Sequence, residues 1–301
     1  MTDSRLRGLL VPVATPFGAD LEPDGDSLVA HCRWLLEHGA DGLALFGTTS
    51  EANSLGVDER IRLLETVLEA GIDARRLMPG TGACALVDAA KLTGHAVAHG
   101  CGGVLMLPPF YYKAVGTPGL LDFFLALADR VGDARLRLYL YHIPQVAGVG
   151  IPRALVDALA SRIPGTLAGL KDSSGDWEHT SRLLEDHPEL DVFPGSETFL
   201  LDGLRHGGAG CITATGNVNP RGIRAVLDRR DEEDADALQA SATAIRRAIE
   251  AYPMIPAVKA LLARIHGTPG WQRVRPPLVA LDEAAATPLW RDAAAAGLGV
   301  A

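Results

Sequence analysis

This chain is poor in lysine, cysteine and aromatic residues, and its long apolar runs are few. Its four cysteines, Cys32, Cys84, Cys101 and Cys211, are scattered, with no Cys-x-x-Cys pair and no histidine at metal-ligand spacing. That pattern argues against a disulfide framework or a zinc site and leaves reduced structural thiols as the expectation. No run approaches the 18 or so apolar residues that cross a bilayer. Residues 1–8 lack the charged start, apolar core and cleavage site of a secretion signal, so a cytoplasmic location away from membranes is expected. The net charge is −9, and no basic cluster exceeds short pairs such as Arg229-Arg230, which argues against nucleic acid as a partner. Small molecules remain. A dinucleotide fingerprint is also missing, because the first apolar run leads into Val13-Ala14-Thr15-Pro16-Phe17-Gly18.

What is present is a chain of 301 residues with 48% hydrophobic and 22% charged residues, enough for a large core. Apolar runs ending in Gly, Pro or Thr alternate with stretches of helical periodicity, the pattern of repeated βα units around a parallel sheet. Strands are expected near 8–13, 42–46, 77–80, 103–107, 136–142, 167–171, 192–194 and 210–214. Helices are expected at 26–37, 57–69, 86–99, 118–130, 152–161, 177–185, 197–206 and 220–228, several opened by caps or first-turn prolines such as Ser27, Pro118, Pro152 and Pro220. Eight such units predict an α/β fold of the TIM (β/α)8 barrel type over residues 1–230. A doubly wound open sheet is the alternative, but it usually carries the fingerprint that is absent. Residues 231–301, with helical stretches at 231–251, 255–265 and within 277–301, predict a helical extension serving packing and assembly.

The scarcity of lysine draws attention to one position. Of 28 basic residues only Lys91, Lys113, Lys171 and Lys259 are lysines, and Lys171 closes the apolar run Leu167-Ala168-Gly169-Leu170 before the polar turn Asp172-Ser173-Ser174-Gly175. In water only about one lysine in a few thousand is a neutral amine at pH 7. Burial favours the neutral form, which can attack a carbonyl. The plainer reading is a lysine whose stem lies on the sheet rim while its head stays in water. In a barrel of this type catalytic groups sit at the C-terminal strand ends. Gly47-Thr48-Thr49-Ser50-Glu51 follows the second strand, Pro108-Pro109-Phe110-Tyr111-Tyr112-Lys113 the fourth, and Tyr141-His142-Ile143-Pro144 ends the fifth. Singly these read as a cap, loop packing and a core tyrosine. Together they supply what imine chemistry needs: an amine, a hydroxyl that shuttles protons, and an oxygen that orients it.

On these marks, with Val13-Ala14-Thr15-Pro16-Phe17, Gly169-Leu170-Lys171-Asp172 and Gly207-Gly208-Ala209-Gly210, the chain resembles the dihydrodipicolinate synthase and N-acetylneuraminate lyase family over essentially its whole length. Those are class I, Schiff-base, pyruvate-handling lyases. The resemblance implies that Lys171 forms an imine with a 2-oxo acid and that Tyr141 relays protons. It implies that Thr48 links Tyr141 to Tyr111, which reaches in from a neighbouring subunit across a tight dimer, within a homotetramer. It also implies that Thr48 and Thr49 hold the substrate carboxylate, that the backbone around Ile212 lines the pocket, and that neither metal nor organic cofactor takes part.

Departures from the better-known members narrow the substrate. Val146 stands where the lysine-pathway synthase has an arginine for the second carboxylate, which argues against that reaction. Glu197-Thr198 and Ala214 replace an Asp-Glu pair and a serine of sialic acid lyases, leaving Ser173 and Glu197 as contacts for a polyhydroxylated tail. Ser50 replaces a glycine; it either strains the turn or adds a hydroxyl to the carboxylate site. His142, next to Tyr141 on a strand, is expected to point the opposite way, toward the helical layer. The implied activity is a class I aldolase cleaving or forming a pyruvate aldol such as a 2-keto-3-deoxy sugar acid. A 2-keto-3-deoxy acid dehydratase, a synthase-type condensation and a non-catalytic pyruvate-binding member are the alternatives.

Overall fold

Seven short strands run parallel around a barrel: β1 Gly8–Val11, β2 Gly42–Leu43, β3 Val104–Met106, β4 Leu138–His142, β5 Leu167–Asp172, β6 Asp191–Pro194 and β7 Gly210–Ile212. The structure is a computed structural model that describes residues 5–299. The N-terminal reading of residues 1–8 and the expected tail 277–301 therefore extend past it at residues 1–4 and 300–301. Two ladders order the strands β2-β1-β7 and β3-β4-β5-β6. They join at two seams. At one, Ala209 N–H donates to Val192 C=O at 3.0 Å while Gly8 N–H donates to Ala209 C=O at 2.7 Å.

The other seam is residues 77–80, expected as a third strand and found instead as a bridging segment. Met78 N–H reaches Leu43 C=O at 2.9 Å and Gly80 N–H reaches Leu45 C=O at 2.6 Å, while Leu105 N–H reaches Pro79 C=O at 2.9 Å. Pro79 has no N–H to give, so a regular ladder cannot run through it. A Cβ at Gly80 would lie 2.1 Å from Phe46 O, so only glycine lets the two backbones approach. With this segment the ring has the eight members of a TIM barrel.

Helices α1 Gly25–Glu37, α2 Val57–Glu69, α3 Leu86–Ala98, α4 Thr117–Val131, α5 Pro144–Ala147, α6 Arg153–Arg162, α7 Trp177–Asp186, α8 Leu200–Arg205 and α9 Pro220–Asp228 form the outer layer. The short α5 was not expected, and the helix expected at 197–206 is split into a 3-10 turn Glu197–Phe199 followed by α8. The first-turn prolines Pro118 and Pro220 fall where expected, but the cap of α1 is Asp24, which accepts from Ser27 N–H, and not Ser27 itself, and Pro152 stands just before α6; Asp176 accepts from His179 N–H before α7. Side chains alternate along the strands as the pleat requires. On β1, Leu10 joins the barrel interior with Met78, Leu105, Tyr139, Phe193 and Ile212, whereas Leu9 and Val11 face the helices.

Three further helices follow, α10 Ala235–Glu250, α11 Met254–Ile265 and α12 Glu283–Ala295. Their apolar faces, with Ile249, Val258, Leu261 and Leu289, bury against one another and against Ala14 and Val218. Those two residues belong to the loops after β1 and β7, so the added helices sit over the barrel's C-terminal mouth. No helix among the described residues is long and apolar enough to cross a membrane.

Candidate active site

Lys171 lies on β5, in register with Tyr141 of β4 and Phe193 of β6. It is 4% exposed, and its Nζ sits 4.3 Å from the centroid of the Tyr141 ring. The Tyr141 hydroxyl is 3.2 Å from Thr48 Oγ1, so amine, phenol and threonine form one connected group. The lysine head is covered, unlike the solvated head of the plainer reading.

Thr48 stands in a tight turn after β2, where Glu51 N–H donates to Thr48 C=O at 3.0 Å and Ala52 N–H to Gly47 C=O at 3.2 Å. The turn is bounded by two non-glycine residues in left-handed conformation, Phe46 at φ 58° and Glu51 at φ 57°. Ser50 carries no such strain. Its buried hydroxyl accepts from Gly47 N–H at 3.2 Å and its carbonyl accepts from Thr15 Oγ1 at 2.8 Å. It therefore braces the turn and does not face the cavity.

Above Lys171 opens a cavity of 560 Å³ whose walls include Thr48, Thr49, Tyr141, Val146 and Ser173, and on the α10 side Arg246. Arg246 went unnoticed in the sequence. Its Nε donates to Glu250 at 2.9 Å, its Nη1 to Thr213 Oγ1 at 3.4 Å, and it lies 3.8 Å from Glu197. Glu197, expected to touch the substrate tail, is fully buried behind this wall, accepting from the hydroxyls of Thr213 and Thr215. Ile212 is likewise inside the barrel and outside the cavity lining. Tyr111 is 73% exposed, packed edge-on against Tyr112, and does not line the cavity of its own chain.

The opposite faces of β4 and β5 carry a second group. His142 points toward the helical layer and stacks on His179 of α7 with ring centroids 4.6 Å apart. Burial pushes the Asp172 carboxyl up, but hydrogen bonds from His179, Ser174 N–H and Thr180 outweigh it and hold the group below the ordinary value. The Asp172 bond in turn raises His179, while burial lowers His142. These groups approach metal-ligand spacing. His142 Nδ1, however, accepts the Ile151 N–H at 2.8 Å and both Asp172 oxygens are hydrogen-bonded, so the cluster is already satisfied internally.

The turn of Thr48 has one more anchor. Lys259 of α11 reaches Glu51 Oε1 at 2.5 Å with both side chains wholly buried. Burial pushes the Lys259 ammonium down to about 8 against the opposing pull of Glu51.

Residues 5–296 match the dihydrodipicolinate synthetase family. An uncharacterized DapA-like lyase of Chloroflexus aurantiacus is 40% identical over 258 residues, covering 85% of this chain and 86% of its own. Among solved structures, dihydrodipicolinate synthase from Agrobacterium tumefaciens superposes with a TM-score of 0.88 at 34% identity, over 96% of this chain and 99% of that one. The E. coli prophage protein YagE, solved in complex with pyruvate, gives a TM-score of 0.88 at 27% identity, over 97% and 99%. Whole-length agreement in sequence and in strand order, on a barrel carrying the Thr48, Tyr141 and Lys171 group at its mouth, leaves one placement: the chain belongs to the dihydrodipicolinate synthetase family, among lyases of the class I aldolase type.

Proposed function

We propose that this protein is a Schiff-base aldolase that cleaves or forms a pyruvate aldol, with a 2-keto-3-deoxy sugar acid as the substrate class. The observation that carries the reading is the covered Lys171 amine beside Tyr141, whose hydroxyl meets Thr48. In the cleavage direction the neutral Lys171 amine adds to the C2 carbonyl, and the carbinolamine loses water to give an iminium. The Tyr141 hydroxyl gives its proton to the departing water, and the phenolate oxygen so formed accepts the proton of the C4 hydroxyl as the C3–C4 bond breaks, while that bond's electron pair moves into the iminium as an enamine. The aldehyde leaves. Protonation of the enamine at C3 and attack of water at C2 then release pyruvate and the free amine. Thr48 and Thr49 hold the carboxylate through turn amides and hydroxyls, and no metal or organic cofactor is needed.

The proposal for the partner subunit rests on the family resemblance, with which the exposure of Tyr111 agrees: Tyr111, outside its own cavity, would reach a neighbouring subunit's Thr48 in a homotetramer. Val146 brings no guanidinium at its place in the lining, and the Arg246 guanidinium across the cavity is engaged by Glu250, which together disfavour the lysine-pathway condensation. Ser173 and Thr198 offer hydroxyls to a polyhydroxylated tail. A panel of 2-oxo acids assayed for pyruvate release tests this. Release from a 2-keto-3-deoxy sugar acid is expected, and a keto acid product formed without carbon–carbon cleavage would contradict it.

A further inference from the structure

The Thr48-Thr49 turn is tied to the added helices through Glu51. One carboxylate oxygen of Glu51 accepts from Lys259 of α11 at 2.5 Å and the other from Arg275 N–H at 2.9 Å. Neither side chain of the Lys259–Glu51 pair is exposed, and the ammonium also stands 4.4 Å from the centroid of the Phe17 ring. Arg275 extends the tie, donating to Glu59 at 2.6 and 2.8 Å and to Ser54 C=O at 2.8 Å.

A buried ion pair is a weak source of stability, because well-packed apolar residues often serve as well. The pair ends on a residue in an unusual backbone state. Glu51 is held at φ 57°, a conformation that a non-glycine residue adopts only when its surroundings impose it. It lies two residues beyond Thr49 and accepts nothing from the cavity. From this we infer that Lys259 is a positioning residue for carboxylate binding: through Glu51 it holds the turn that presents Thr48 and Thr49 to the 2-oxo acid. The inference rests on the Schiff-base reading, in which that turn receives the carboxylate.

The test is the pyruvate concentration that half-saturates borohydride trapping, measured beside kcat for wild type and for the Lys259→Met, Glu51→Gln double variant. The double variant removes both charges and leaves no lone buried ion. Misplacing a positioning group by about 1 Å costs up to about a hundredfold in rate. Half-saturation should therefore rise at least about tenfold in a variant that melts cooperatively, and kcat should fall as well, because the same turn carries Thr48, the hydrogen-bond partner of Tyr141. Lys259→Leu, Glu51→Gln, which likewise leaves no lone buried ion and keeps an amide oxygen for Arg275 N–H, is a second folded reading and should shift the same way. Wild-type half-saturation in either folded variant would overturn the positioning role. Absence of any adduct in wild type would overturn the Schiff-base reading itself.

Discussion

Tyr141→Phe removes one oxygen atom from the site and leaves the ring. Tyr141 is 3% exposed, and its ring carries the contact with the Lys171 amine at 4.3 Å, which phenylalanine preserves. The hydroxyl makes a single hydrogen bond among the described residues, to Thr48 at 3.2 Å. A neutral bond of that kind contributes about 0.5–1.5 kcal/mol, so the variant should melt within a few degrees of wild type. Its effect on turnover should be far larger. A positioned proton donor and acceptor contributes about 10²–10⁴ in rate, or roughly 3–5 kcal/mol of barrier. The expected outcome is kcat for pyruvate release down by that factor, with borohydride still trapping the pyruvate adduct. Turnover within about tenfold of wild type would refute the proton-relay role. A loss of several kcal/mol in stability would recast the hydroxyl as structural.

Three other outcomes follow. Gly169→Ala places a Cβ 2.1 Å from Asp191 O and 2.8 Å from Tyr139 Cδ1. It should part β5 from β6, cost more than about 3 kcal/mol and abolish trapping at Lys171, as denaturant titration and mass spectrometry would show. Arg246→Met leaves the buried Glu197 with threonine donors alone, so a loss near the low end of the about 3–5 kcal/mol range is expected, together with a raised KM for sugar acids and unchanged pyruvate trapping. For the His179–Asp172 pair the signs are opposite. His179 is raised from 6.5, so its stabilisation is complete below that value and is lost as pH rises through the folded value. Asp172 is lowered from 3.8, so its stabilisation holds above that value and is lost as pH falls through the folded one. The stability difference between wild type and His179→Ala should therefore peak between pH 3.8 and 6.5 and shrink on both sides in denaturant titrations across pH. A flat difference would contradict the pairing.

The barrel and the Lys171 group were legible because both rest on short-range rules. Apolar runs bounded by capped helices placed the strands, and the closed ring brings strand ends together however far apart they lie in sequence. Pro79 carried the warning that the third strand would not ladder, since its missing N–H is visible without a structure. Side-chain direction inside turns was less accessible. Ser50 and Glu197 were expected to face the substrate, but the turn geometry sends the serine hydroxyl to Gly47 and the carboxylate into the buried threonines. Arg246 was missed because an arginine on the polar side of an amphipathic helix reads as solvated until tertiary packing lays that side over the barrel mouth. Lys259 left a fainter trace, one of four lysines, set in the helix Met254–Ile265, which is apolar but for it and Arg264.

The scarcity of lysine makes the decisive measurement easy to read. The protein is incubated with pyruvate, reduced with borohydride, digested and mapped by mass spectrometry across Lys91, Lys113, Lys171 and Lys259. A single pyruvate-derived adduct on Lys171 is expected. An unmodified protein, or an adduct carried by any of the other three lysines in place of Lys171, would contradict the Schiff-base mechanism.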